Sequence, residues 1–363
     1  MTVLFERMKK DARSFAFDRN HSIPDLELEI GADEIWACTS CSACSTHCPM
    51  MINPMDKIIA LRRHQVLDRG HVPHEARPMI RNLELFGDTY GKGAAYRTDW
   101  RLGINVPAVA ELTEKPDILL WVGCSAAFHP RYSKVARDMA GILEAAGVKF
   151  AIPGKEELCC GDPARRLGEE SLFQELARKN IKTLDSYGIK DIVVFCPHCF
   201  NSLKNEYPAF GGTYHVIPAV EYLLQLMDQK KITPVYPINR LMTIHDPCYL
   251  GRINRIYDPL RQLMSRLPGL TIKELGRSFD SALCCGGGGG RMWLHETRGE
   301  NINHIRSREI IESGAALLGT ACPFCMTMME DGMGSVVDNT DIKIMDLIEI
   351  TAQSIGVLHK GKS

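Results

Sequence analysis

The sequence predicts an α/β protein. A helical N-terminal domain carrying a tight cysteine run precedes two pseudo-symmetric α/β cysteine-rich repeats. Three observations predict this. Short apolar runs alternate with helical patterns from residue 117 onward. The same order of elements then returns a second time. Ten of the fourteen cysteines follow that order. The expected domains are 1–112, 113–237 and 238–363.

The first stretch reads as helical. Residues 1–20 have the pattern of an amphipathic helix and lack the continuous apolar core of a signal peptide. The run from Asp56 to Gly70 has helical apolar spacing and ends on a glycine stop signal. Residues 91–116 are rich in Gly, Pro and charge and read as a connector.

The repeat begins at Asp117, where an apolar run leads to Cys124 and is expected to be a strand ending in that cysteine. Helices are expected over about 131–146 and 170–187. A second strand runs from Asp191 to Cys196. In the second copy, Leu241 to Cys248 is the first strand, helices cover about 256–267 and 298–313, and the run Ala315 to Cys322 follows. Cys124 to Cys248 is 124 positions, Cys159 to Cys284 is 125, and Cys196 to Cys322 is 126. Three anchors hold nearly one offset. Ligands of parallel sheets gather at the carboxyl ends of strands, where these cysteines are expected to sit.

Composition excludes several functions. With 43 basic against 44 acidic residues the net charge is -1, which gives no electrostatic footprint for nucleic acid. No apolar run reaches the roughly 18–20 residues of a membrane helix. A cytoplasmic protein is expected, with any membrane association through a partner. Without an export signal, fourteen cysteines in local clusters argue for metal rather than disulfides.

The first motif is Cys38-x2-Cys41-x2-Cys44-x3-Cys48-Pro49, the bacterial ferredoxin run for a cubane [4Fe–4S] cluster. Closely spaced thiolates in one loop can hold the corners of a cube; the competing reading is a zinc knuckle. In two-cluster ferredoxins the fourth cysteine serves the other cluster. Cys48 therefore either completes this cluster or serves elsewhere, and the expected set is Cys38, Cys41, Cys44 and Cys48 together. The other two motifs share one form: a lone cysteine, then Cys-Cys-Gly, then Cys-Pro-x-Cys. The sets are Cys124, Cys159, Cys160, Cys196, Cys199 and Cys248, Cys284, Cys285, Cys322, Cys325. Five thiolates exceed the four corners of a cubane, so each set implies a distorted cluster. Gly161 and Gly286 are expected to let the backbone approach inorganic sulfur.

Lesser features follow the cysteines. Arg165, Arg166 and Arg291 lie just beyond the pairs, where a guanidinium would stabilise a reduced cluster or form an ordinary salt bridge. His198 and His245 adjoin ligand cysteines and either relay protons or act as buried hydrogen-bonding groups. The run Gly286 to Gly290 fits close approach to a cluster better than a phosphate cradle, since it lacks the Walker lysine. Met326, Met328 and Met329 read as core packing.

These motifs resemble the cysteine-rich CCG domains of the B-type and D-type subunits of heterodisulfide reductase. They are most similar to the branch of iron–sulfur oxidoreductases linked to electron-transferring flavoproteins. The resemblance extends to Gly161-Asp-Pro-Ala-Arg-Arg-Leu-Gly168, to the segments Cys196–Tyr207 and His245–Arg252, and to Cys285–Trp293 and Ala321–Cys325. It implies two non-cubane [4Fe–4S] clusters facing each other, one per repeat. In heterodisulfide reductase these clusters split a disulfide, each taking one sulfur onto an iron. Relatives in the flavoprotein-linked branch often replace the second cysteine of the first pair; here Cys160 keeps both sets intact. A second ferredoxin run and a membrane domain, common in relatives, are not seen here. The expected function is electron transfer between a flavoprotein or ferredoxin-like partner and a catalytic oxidoreductase subunit. The alternatives are catalysis of thiol–disulfide reduction at the clusters, and a structural zinc protein.

Overall fold

The computed structural model describes residues 30–296, 299–338 and 340–357; the helix expected at 1–20 lies outside the described residues. Two four-stranded parallel sheets dominate. The first contains β1 (Ile118–Trp121), β2 (Phe150–Ala151), β3 (Asp191–Val194) and β4 (His215–Pro218), in the order β2-β1-β3-β4. The second contains β5 (Arg240–Ile244), β6 (Leu270–Ile272), β7 (Leu317–Thr320) and β8 (Lys343–Asp346), in the order β6-β5-β7-β8. One order occurs twice, so the sequence repeat is a structural repeat.

Register explains the apolar runs. Leu119 pairs with Ala151 on one side and Ile192 on the other. In the second sheet Met242 lies between Ile272 and Leu317. Every residue of β1 and of β7 is buried, as central strands covered on both faces must be. The covering helices include Pro130–Ala145, Glu170–Ser186, Ala219–Asp228 and Leu347–Ile355.

Two expectations change. The strands stop before their cysteines: β1 ends at Trp121 and β5 at Ile244. Gly123 then turns the chain at φ +73°, and Cys124 lies in the helix Gly123–Phe128. The 91–116 segment is no bare connector. Val109 N–H donates to the Ile152 carbonyl at 2.8 Å and Ile152 N–H to Pro107 at 3.0 Å, so the segment is tied to the first repeat beyond β2. Trp100 is buried, and Arg101 pairs with Glu111. Of the charges that suggested a linker, Arg97 and Glu114 instead pair with residues of the first repeat, Glu157 and Lys149.

The repeats meet through side chains of the helix Pro130–Ala145. Tyr132 donates its hydroxyl to Asp346 at 2.7 Å. Arg131 forks onto Glu349 at 2.6 and 2.8 Å. Asp138 shares this helix. Burial, then the nearby Glu349 charge, push its carboxyl up to about 7 against the pull of Arg131 and Lys134. The folded chain therefore keeps a proton that the unfolded chain gives up near pH 4, and Asp138 costs stability increasingly as pH rises from about 4 to about 7. For Asp138→Asn, the urea midpoint relative to the parent is expected to move in the variant's favour across that window. A pH-independent difference would count against this.

Candidate metal centres

Each cysteine motif forms from the same local device. Cys196 and Cys322 follow β3 and β7 as the residues that precede a helix, and Pro197 or Pro323 opens it. Cys199 and Cys325 fall in the first turn. The Cys-Pro-x-Cys spacing thus puts two thiols on one side of a strand-to-helix corner. The Cys-Cys-Gly motif supplies the opposite side. Gly161 has φ +87°, and a Cβ there would lie 2.6 Å from Phe173, so the position demands glycine. Gly161 N–H points to Cys159 Sγ at 3.5 Å and Gly286 N–H to Cys284 Sγ at 3.3 Å.

The five thiols of each repeat are brought together as a chain of neighbours. In the first, Cys124 meets Cys159, which meets Cys160, which meets Cys199, which meets Cys196. In the second the succession is Cys248, Cys284, Cys285, Cys325 and Cys322. Hydrogen bonds from Cys159 and Cys199 hold the Cys160 thiol well below its ordinary value. Cys284 and Cys325 do the same for Cys285. All ten thiols are buried and none is in a disulfide.

The N-terminal run sits against the second repeat. Ser40 and Ser42 take left-handed backbone conformations, at φ 48° and 60°, which wrap the loop tightly. Ser40 N–H points to Cys38 Sγ and Ile52 N–H to Cys48 Sγ, each at 3.4 Å. Cys38, Cys41 and Cys48 are buried, whereas Cys44 is half-buried. Arg252 donates to the Cys41 carbonyl at 2.7 Å and to Ala282 at 2.6 Å, fastening the loop to the segment before Cys284. The Cys284 thiol faces Cys41 closely enough to push it well up, with burial adding to the effect. A cleft of about 450 Å³ remains here, lined by Cys38, Cys41, His47, Asp280 and Cys284.

Two glycines of the run, Gly288 and Gly289, meet protein backbone. A Cβ at Gly288 would lie 2.4 Å from the Thr39 carbonyl oxygen, and one at Gly289 2.4 Å from that of Cys38. These glycines admit the backbone of the N-terminal loop. Arg62 completes the junction. It is wholly buried and has no carboxylate partner among the described residues. Its guanidinium donates to the carbonyls of Ile35, Trp36, Cys38, Arg166 and Gly289 at 2.7–3.2 Å. One side chain thereby gathers the N-terminal loop, the first repeat's cysteine-pair helix and the second repeat's glycine run.

Among the predicted arginines, none hydrogen-bonds a thiol. Arg166 bonds Asp162 at 3.0 Å and also Glu206. Arg165 pairs with Glu170 and stacks on Phe173. Arg291 pairs with Glu296 at 2.7 Å. The guanidinium that does reach sulfur is Arg97, 3.9 Å from Cys124 Sγ. It comes from the segment read as a connector, 27 residues before its thiol, and no local pattern marks it.

The two histidines lie where expected and differ in state. His198 bonds Asp162 through Nδ1 at 2.8 Å and stacks on Tyr249 and Phe324 of the other repeat, with centroids 4.0 and 4.5 Å away. Burial opposes its charge, but Asp162 and then Cys322 outweigh burial and push the imidazole well up. His245 is held down to about 3 by burial and Arg306, whose Nε lies 3.2 Å from Nδ1. A ring nitrogen of His245 lies within 4.8 Å of the Cys285 and Cys325 sulfurs. Met326 and Met329 are buried in the apolar core, as expected.

The donor set fits iron–sulfur chemistry. Buried, clustered, unoxidised thiols with backbone N–H groups aimed at sulfur are what thiolate-bound clusters need. The cysteine-rich domain family CCG matches residues 118–204 and 242–330. The D-type subunit of the dihydromethanophenazine:CoB–CoM heterodisulfide reductase of Methanosarcina barkeri is 31% identical over 338 residues, which are 91% of this chain and 80% of that one. The chain belongs to the family of heterodisulfide reductase D-type subunits. The cysteine-rich domain of this iron–sulfur oxidoreductase family occurs in it twice. A probable iron–sulfur-binding oxidoreductase FadF of Bacillus subtilis is 39% identical, over 94% of this chain and 49% of that protein. The EtfAB:quinone oxidoreductase of Syntrophomonas wolfei is 38% identical, over 88% and 46%. The chain therefore spans about half the length of these two relatives. Among the described residues no helix is long and apolar enough to cross a membrane.

Proposed function

We propose that this family member is an iron–sulfur electron-transfer component of a multi-subunit oxidoreductase. It holds a cubane [4Fe–4S] cluster on Cys38, Cys41, Cys44 and Cys48. It holds one non-cubane [4Fe–4S] cluster on each five-cysteine set. Bound clusters supply one-electron redox chemistry at these thiolates. The protein buries the sulfurs, directs N–H groups at them and places the N-terminal set beside the second repeat. The observation that carries the reading is this continuity: Cys41 faces Cys284, and His198 of the first repeat touches Cys322 of the second. The partners are a flavoprotein or ferredoxin-like donor and a catalytic oxidoreductase subunit. The similarity to the EtfAB:quinone oxidoreductase supports the flavoprotein side.

A second reading, reduction of a disulfide substrate at the two repeat clusters, is favoured by one observation. Cys160 completes the first set, and a small cavity lined by Cys124, Cys160, His198 and Phe324 lies at the junction of the repeats. Electron paramagnetic resonance of the oxidised, anaerobically purified protein separates the two. Pure electron transfer predicts roughly twelve irons per chain, four per cluster, and spectra indifferent to added thiols. A thiol-dependent signal would favour the catalytic reading. Zinc without iron would overturn both.

A further inference from the structure

The two repeats are built alike, but their lone cysteines sit in different electrostatic surroundings. Cys124 faces the guanidinium of Arg97, whose Nη1 and Nη2 are both 3.9 Å from the sulfur. Arg97 is bound to Glu157 at 2.7 Å. The N–H groups of Val122 and Gly123 fix that carboxylate in turn, at 3.1 and 2.7 Å. Arg97 is 3% exposed and Glu157 2%. The ion pair is therefore held rigidly in the interior, with its positive end on the thiol. Phe128 lies over the guanidinium, 5.5 Å from centroid to Cζ, and keeps water away.

Cys248, at the matching place in the second repeat, has the charge of Arg252 nearby but no guanidinium hydrogen-bonded to it among the described residues. It lies among Cys284, Cys41 and Cys285. The nearby guanidinium, Arg252, spends its hydrogen bonds on the carbonyls of Cys41, Asp280 and Ala282. Among the described residues, no guanidinium is hydrogen-bonded to a thiol of the second repeat. Cys248 instead adjoins the N-terminal set, where the negative charge of a thiolate-bound cluster would disfavour further reduction nearby.

We infer that Arg97 is a potential-setting residue, which makes the first repeat the higher-potential of the two centres and the place where an electron entering the pair comes to rest. This rests on the reading that each five-cysteine set holds a cluster. One-electron reduction adds one negative charge to a thiolate-bound centre, while Arg97 and Glu157 keep their own charges throughout. A fixed positive charge against the sulfur stabilises the reduced state, and a low-dielectric interior strengthens the effect. Hydrogen bonds to cluster sulfur act in the same direction. Glu157 and the nearby Asp88 offset part of this field, but the Glu157 charge is shared with two backbone N–H groups. Arg97 touches a ligand sulfur from outside and carries out no bond chemistry.

The test is a mediated redox titration of the anaerobically purified full chain, followed by electron paramagnetic resonance. A Cys160→Ala variant identifies which signal belongs to the first repeat. Arg97→Gln is expected to lower the midpoint of that centre by at least about 59 mV, tenfold in the reduction equilibrium for one electron. Glu157→Gln is expected to raise it, because it leaves the guanidinium uncompensated. Arg97→Lys should recover most of the parent value. The second-repeat and N-terminal midpoints should stay in place. Opposite signs are the decisive feature, since mere loosening of the site would move both variants the same way. Shifts of one sign, or none, overturn the proposal. If Arg97→Gln does not fold, a downward or absent shift in Glu157→Gln overturns it alone. If the parent has no signal that responds to Cys160→Ala, the underlying cluster reading falls, and this proposal with it.

Discussion

Replacing Cys159 and Cys160 together by serine is expected to remove about one third of the iron, from roughly twelve to roughly eight atoms per chain. The N-terminal and second-repeat signals should survive. The two side chains are the central links of the first thiol chain, joining Cys124 on one side to Cys199 on the other. Without them the remaining thiols lie on opposite sides of the site, two at the strand-to-helix corner and one after β1. Serine keeps the size of the side chain but not the affinity of a thiolate for iron. The fold should persist, because Gly161 and its contact with Phe173 are untouched. Iron analysis and electron paramagnetic resonance measure the result. An unchanged iron count, or loss of all signals at once, would refute the partition of the cysteines into three sets.

Arg62→Met is expected to have the largest effect on stability. The substitution keeps an apolar stem but leaves the carbonyls of Ile35, Trp36, Cys38, Arg166 and Gly289 without their shared donor in a dry interior. An unsatisfied buried acceptor costs about 1–3 kcal/mol. We expect a loss at the upper end, read as a lower urea midpoint, with iron lost first from the N-terminal site. Arg62→Lys should recover little, because an ammonium cannot fork onto carbonyls from three segments. A variant that keeps both its midpoint and its full iron complement would show that Gly288 and Gly289 seat the N-terminal loop without help.

The structure also ranks the charged groups around the sulfurs. Asp162, His198, Arg166 and Glu206 form one connected network within the first repeat. The arginines that follow the cysteine pairs in sequence belong to such networks and not to the thiols. Adjacency along the chain suggested a charge effect on the clusters. In space, the helix Asp162–Arg166 turns Arg166 toward Glu206 and Arg165 toward Phe173. Arg97 takes the position against sulfur instead.

Much of this protein was legible in its sequence. The near-constant offset between the repeats was visible because thiols that follow parallel strands must return at the same point in each copy. The repeated strand order follows from that. Cys-Pro-x-Cys was legible because proline opens a helix and places the next thiol one turn along. What the sequence could not contain was which distant backbone meets which loop. Gly288 and Gly289 carry no mark of Cys38 and Thr39, which they accommodate, and nothing near Arg62 or Arg97 names the groups they reach. Local spacing is set by helix and strand geometry and is written along the chain. The charges that set each centre's surroundings come from segments far apart in sequence, and only packing of the N-terminal region against both repeats brings them to the sulfurs.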